Sequence, residues 1–190
     1  MMRFKKWFRW FWICFVLAGL SFYFISPDSF TSDSLAAFMS QHEGMAILFY
    51  LFISCIRGVF LFPSTPFVLA GVLLFPNQPL LVVGISMIGI MFTSFLLYAF
   101  AENLGFRDYL VEKHPRKMKI WEQRLSKPFS FWIVLAWSFF PFVPTDLICY
   151  VAGTVKMKKI YYYSGVFIGE LILVLLYVYL GKDLWQVFTV

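Results

Sequence analysis

Arg57-Gly-Val-Phe-Leu-Phe-Pro63-Ser-Thr-Pro66-Phe-Val-Leu-Ala70-Gly71 is an apolar run broken twice by proline. A second run, Ser138-Phe-Phe-Pro141-Phe-Val-Pro144-Thr-Asp146-Leu-Ile-Cys-Tyr-Val-Ala152-Gly153, repeats the plan: Pro-x-x-Pro, then Ala-Gly. Proline removes a backbone donor and clashes with the preceding turn, so neither run is one continuous helix. Each is followed by a long apolar stretch that ends at a glycine. Broken backbone at membrane depth is tolerated only where it is buried in protein or lines a cavity. Paired broken segments in matching halves are the best sequence pointer to a transporter's binding site.

Hydrophobic residues make up 61% of the 190 and charged ones 14%, too few charges for an ordinary soluble domain. Gly58 to Ala101 is 44 residues without a single Asp, Glu, Lys, Arg or His. The chain therefore reads as an integral membrane protein. The net charge of +6 does not indicate nucleic acid, because the cations flank apolar spans instead of forming a soluble basic face. Membrane lipids with anionic headgroups are the expected partners. Cys14, Cys55 and Cys149 lie in apolar segments without Cys-x-x-Cys spacing and read as small buried hydrophobes. His42 and His114 lie far apart in sequence, so no metal site is expected, and no cofactor.

Four cations (Arg3, Lys5, Lys6, Arg9) precede a first apolar helix over Trp10 to Ile25, read as uncleaved. Residues 1–44 hold this helix and a short external segment, in which Ser32 or Asp33 caps a small helix through Ala36, Phe38 and Met39. Met45 to Phe75 spans 31 residues. As a straight helix it would measure ~46 Å, well beyond a hydrocarbon core of ~30 Å. Two half-helices joined at Pro63 to Pro66 fit better. Leu80 to Ala101 is a clean span, with Gly84, Ser86, Gly89 and Ser94 as small positions for close helix packing and Gly105 as its C-cap. The linker 106–128 carries seven Lys or Arg against three acids. It reads as partly helical, lying on headgroups with Leu110, Met118, Ile120, Trp121 and Leu125 dipping in, or else as a solvated basic loop. Phe129 to Val155 repeats the broken pattern. Ile160 to Leu180 is the last span, interrupted by Glu170 and stopping at Gly181, before a tail over 182–190. Tyr161 to Tyr163 read as lipid-facing or aromatic-belt residues.

Charge placement selects the topology. If both broken segments crossed fully, the seven-cation linker would fall outside, against the positive-inside rule. If both are re-entrant, 14 of the 16 Lys and Arg lie on the cytoplasmic side with the N-terminus. The predicted fold is all-α: three full spans and two opposed re-entrant hairpins, in inverted repeats over 45–105 and 129–181.

The same residues carry a family resemblance. Arg57…Pro63-x-x-Pro66…Ala70-Gly71, a helix ending near Leu104-Gly105, and Phe140-Pro141-Phe-Val-Pro144-x-Asp146…Tyr150-Val-Ala-Gly153 resemble the VTT-domain (SNARE-associated Golgi protein) family of the DedA superfamily. The likeness covers Met45 to Gly181 and is nearer the Golgi-type branch; the second motif is its specific part. It implies lipid movement between leaflets: scramblases in eukaryotes, transporters of undecaprenyl phosphate or phospholipid in bacteria. It also implies two re-entrant hairpins that face each other. The chain departs from the family pattern at three places. Ser138 stands where an arginine is common, Glu102-Asn103 precede Leu104-Gly105 where an arginine is common, and Glu170 follows Gly169 where a proline is common. Arg57 would then serve a lipid phosphate alone or with loop lysines.

Ionisable groups inside a membrane are functional candidates by default. Arg57 either pairs with a lipid phosphate or snorkels or meets an internal acid. Asp146, at the second break, is a candidate proton carrier and also a candidate helix cap. Glu170 either titrates or pairs with Arg57. Glu102 reads as a boundary residue. Pro63, Pro66, Gly71, Pro141, Pro144 and Gly153 make the breaks and permit close approach. No nucleophile–base pair, metal-ligand or phosphate-loop pattern is present, so no enzyme is expected. The expected function is a lipid translocator, passive or proton-coupled. A small-solute or ion carrier of the same architecture and a membrane scaffold are the alternatives, and a homo-oligomer stays open. The short chain, its small tails and the lack of a sorting motif point to a bacterial plasma (inner) membrane.

Overall fold

The computed structural model describes residues 31–40, 45–60, 62–103, 111–113, 115–141 and 143–188, with residues 14, 17, 18, 21 and 25 of the N-terminal stretch. The first expected span, His42, His114 and the Leu104-Gly105 helix end thus lie outside the described residues or almost wholly so. Among the described residues the chain is all-helical. The helices are α1 (Ser32–Ser40), α2 (Ala46–Ile56), α3 (Thr65–Leu74), α4 (Pro79–Asn103), α5 (Pro115–Leu125), α6 (Phe129–Phe139), α7 (Thr145–Thr154) and α8 (Lys159–Phe188).

Proline marks the starts. Pro66, Pro79 and Pro115 lie in first turns, where the missing N–H would have no partner in any case. Pro63 and Pro141 lie in the breaks themselves, and Pro144 is the N-cap of α7. The first arm is shorter than the prolines alone predict. α2 ends at Ile56, and Arg57–Phe60 form a 3₁₀ turn. The Phe62 N–H donates to the Arg57 carbonyl at 3.2 Å, which closes that turn.

Two long helices result. Pro79–Ala101 and Lys159–Gly181 are each long and apolar enough to cross a membrane. α8 does not stop at Gly181 as expected; its backbone stays helical to Phe188, and the apolar part alone ends at the glycine.

The two units share a register. α3 and α7 begin at Thr65 and Thr145, α4 and α8 at Pro79 and Lys159, each pair 80 residues apart. Each unit's first arm packs on its own long helix: α2 on α4, and α6 on α8. Each second arm crosses over: α7 packs on α4, and α3 packs on α8 as well as on α1. α4 and α8 pack on each other. Gly89 and Gly169, again 80 apart, stand where the first arms come closest. A Cβ on Gly89 would lie 2.6 Å from Ser54 Cβ, and one on Gly169 2.7 Å from the Leu135 carbonyl.

Several sequence expectations need correction. Thr31, not Ser32 or Asp33, caps α1, its Oγ1 accepting from the Ser34 N–H at 3.3 Å. In α1 it is Leu35 that is buried, while Phe38 is exposed. Met118 and Leu125, seven apart on α5, are buried in the protein core beside Val155 and Met157; Ile120 and Trp121 are exposed. Gly84 has nothing near it and packs no helix, whereas Ser86, Gly89 and Ser94 do meet neighbours. Tyr162 is an interior residue that donates to the Ser94 carbonyl at 3.0 Å. Cys149 is buried as expected, but Cys14 is exposed.

Candidate functional site at the meeting of the two breaks

Three ionisable side chains in the described apolar helices and breaks, Arg57, Asp146 and Glu170, are all buried. They come from three elements: the 3₁₀ turn after α2, the first turn of α7, and the middle of α8. Burial of charge is costly unless it is paired, so their partners decide what the site is.

Arg57 Nη1 stands 3.7 Å from Asp146 Oδ2, with both side chains about 5% exposed. The same nitrogen donates to the Phe62 carbonyl at 2.9 Å. Arg57 therefore ties down the unwound stretch of its own unit and reaches the acid of the other. Gly58 makes room for this: a Cβ there would run into Thr93 and lie 3.0 Å from Asp146 Oδ1.

Asp146 does not cap α7. The N-cap is Pro144, and no side-chain cap bond forms. The carboxylate does lie in the first turn, where the helix dipole favours it. Glu170 does not pair with Arg57 either. Its Oε1 accepts from the Thr145 hydroxyl, and its Oε2 has no hydrogen-bond partner. Adjacent residues of α7 are thus held from opposite sides, Thr145 by the second unit's long helix and Asp146 by the first unit.

Sequence reasoning passes over the threonines. Thr65 and Thr145 open the two second arms, and both bond to α8: Thr65 Oγ1 lies 3.2 Å from the Tyr177 hydroxyl, and Thr145 meets Glu170. Matching the two broken runs at their helix starts, instead of at Pro-x-x-Pro, finds them.

Gly71 and Gly153 serve close contact. A Cβ on Gly71 would enter the ring of Tyr50, whose hydroxyl is 2.6 Å from Ser86 Oγ. A Cβ on Gly153 would run into the Tyr98 carbonyl. Pro63, Pro141 and Pro144 are half-buried at the breaks, and Pro66 sits inside the first turn of α3 rather than in the break. The backbone of Glu102 lies in the last turn of α4.

This arrangement is a buried polar seam where two interrupted helix pairs meet, flanked by two long apolar helices. The family model of the VTT domain matches residues 62–183, 122 of the 190. The chain belongs to the VTT-domain family, whose members are membrane-associated. Asp146 and Glu170 lie within the matched segment and Arg57 just before it. Neither a curated protein nor a solved structure matches the chain.

Proposed function

We propose that this chain is an integral membrane protein that moves lipid between leaflets, with the headgroup entering the seam between the two breaks while the acyl chains stay in the bilayer. The observation that carries this reading is the buried Arg57–Asp146 contact, which joins one break to the other.

Both broken units would be re-entrant hairpins of opposite orientation. Their arms are 10 or 11 residues long, ~15 Å of helix each, about half a hydrocarbon core. The exposed side chains of Leu48, Phe52, Leu80, Phe95, Trp132 and Ile160 suit contact with lipid. The linker cations and Lys156, Lys158 and Lys159 would face the cytoplasm with the N-terminus, in keeping with a bacterial plasma membrane. Arg57 would bind a lipid phosphate when the seam opens, and Asp146, freed from it, would take up a proton. Phospholipid or an anionic lipid phosphate would be the cargo.

The test is a leaflet-exchange assay on liposomes that carry fluorescent phospholipid, with and without a pH gradient. Wild type should bring buried label within reach of an external quencher. Asp146→Asn and Arg57→Ala should lose that exchange while the protein stays folded. Exchange retained in both variants would sink the seam as the lipid path. Uptake of a water-soluble solute without lipid movement would replace the reading by a solute carrier.

A further inference from the structure

Fully ionised, Arg57, Asp146 and Glu170 leave the seam with one excess negative charge. Arg57 is engaged by Asp146. The one hydrogen-bond partner of Glu170 is neutral, the Thr145 hydroxyl. Two buried side-chain oxygens among the described residues have no hydrogen-bond partner, Glu170 Oε2 and Ser138 Oγ. Both residues are fully buried, at 0% exposure. Buried polar atoms without a partner are rare enough to need a reason, and an ion is one.

The two orphans adjoin the same point of the backbone. A Cβ on Gly169 would lie 2.8 Å from Ser138 Cβ, and Glu170 is the next residue. Ser138 is also in the last turn of α6, which ends at Phe139. The last carbonyls of a helix lack intrahelical donors and form the negative end of its dipole. A carboxylate oxygen and a hydroxyl oxygen without partners thus lie on facing segments of α8 and α6, beside the C-terminal end of a half-helix. All are acceptors or negative, and half-helix C-termini at breaks are where carriers hold cations.

We propose that Ser138, Glu170 and the C-terminal end of α6 bind one monovalent metal cation of sodium size. One such charge brings the seam to neutrality. A divalent ion would need more charged oxygens, and the described residues hold no group of three or more His, Cys, Asp or Glu. As an ion site this stands apart from the lipid reading; as a coupling site it rests on that reading.

The experiment uses the full chain, purified and reconstituted, at fixed pH and ionic strength, with sodium chloride replaced stepwise by choline chloride. The melting temperature of wild type rises with sodium and saturates, by roughly 5 °C at about a hundredfold excess over the dissociation constant. Glu170→Gln removes the rise, since its amide no longer adds the excess charge. Ser138→Ala shifts the half-saturating sodium concentration up about tenfold, the loss of one ligand worth about 1.4 kcal/mol. A wild-type melting temperature indifferent to sodium, or a rise that survives in Glu170→Gln, overturns the site. If Glu170→Gln does not fold, an unchanged half-saturation in Ser138→Ala overturns it instead. Leaflet exchange in the same preparations separates the two ideas: no exchange with the sodium response intact removes the lipid reading and leaves the ion site.

Discussion

Arg57 and Asp146 stand 3.7 Å apart although they are 89 positions apart in the chain. Removing one partner of a buried pair leaves the other charge without compensation. Arg57→Met or Asp146→Leu should each cost about 3–5 kcal/mol, and the double variant much less than the sum. Equilibrium unfolding in mixed detergents reads this. Strictly additive losses would mean that the two side chains do not act as a pair.

The contact of Gly153 with the Tyr98 carbonyl predicts a graded glycine series. Backbone cannot swing aside as a side chain can, so Gly153→Ala should destabilise by about 1–3 kcal/mol. Gly84, exposed in mid-helix with nothing within 4 Å, should go the other way. Gly84→Ala gains helix propensity and should stabilise by about 0.5–1 kcal/mol. Thermal unfolding of both variants checks the pair, and equal effects would refute it.

Tyr50→Phe should cost about 1 kcal/mol and leave the fold unchanged. Its hydroxyl is 2.6 Å from Ser86 Oγ in a buried setting, and Phe leaves that serine without its partner. In the double variant with Ser86→Ala the penalty should shrink, because both halves of the bond are gone.

Lys156 has φ of +51°, the one positive value outside glycine among the described residues. A side chain there carries the steric cost of left-handed backbone at the turn into α8. Lys156→Gly should raise stability by about 0.5–1 kcal/mol, and Lys156→Asn by less. A loss of stability on both changes would show that the charge outweighs the strain.

Much of the fold is legible in the sequence because proline and charge leave local marks. Pro63, Pro66, Pro141 and Pro144 announce the interruptions, and Arg57, Asp146 and Glu170 stand out against apolar runs. Direction around a helix axis stays hidden. α4 and α8 are apolar on nearly every side, so a 3.6-residue period has no contrast to reveal which face is inside. For that reason the sequence alone presents Tyr162 as outward, Gly84 as a packing site, and Glu170 as either a titrating group or a partner of Arg57. The cap of α1 is missed by a single residue for a simpler reason. Thr31, Ser32 and Asp33 all have the right chemistry, and only backbone geometry chooses between them.

The crossing of the second arms has a consequence for how the chain is made. α3 rests partly on α8, which the ribosome supplies only some 85 residues later. The first half therefore leaves synthesis unfinished, with α3 resting on α1, α2 and α4 and its α8 side waiting. The second half meets no such delay, since α4 is already present when α7 emerges. Assembly is thus asymmetric in time although the architecture repeats in space. A nascent chain halted in the linker would hold an incomplete core that the missing half, supplied separately, could complete.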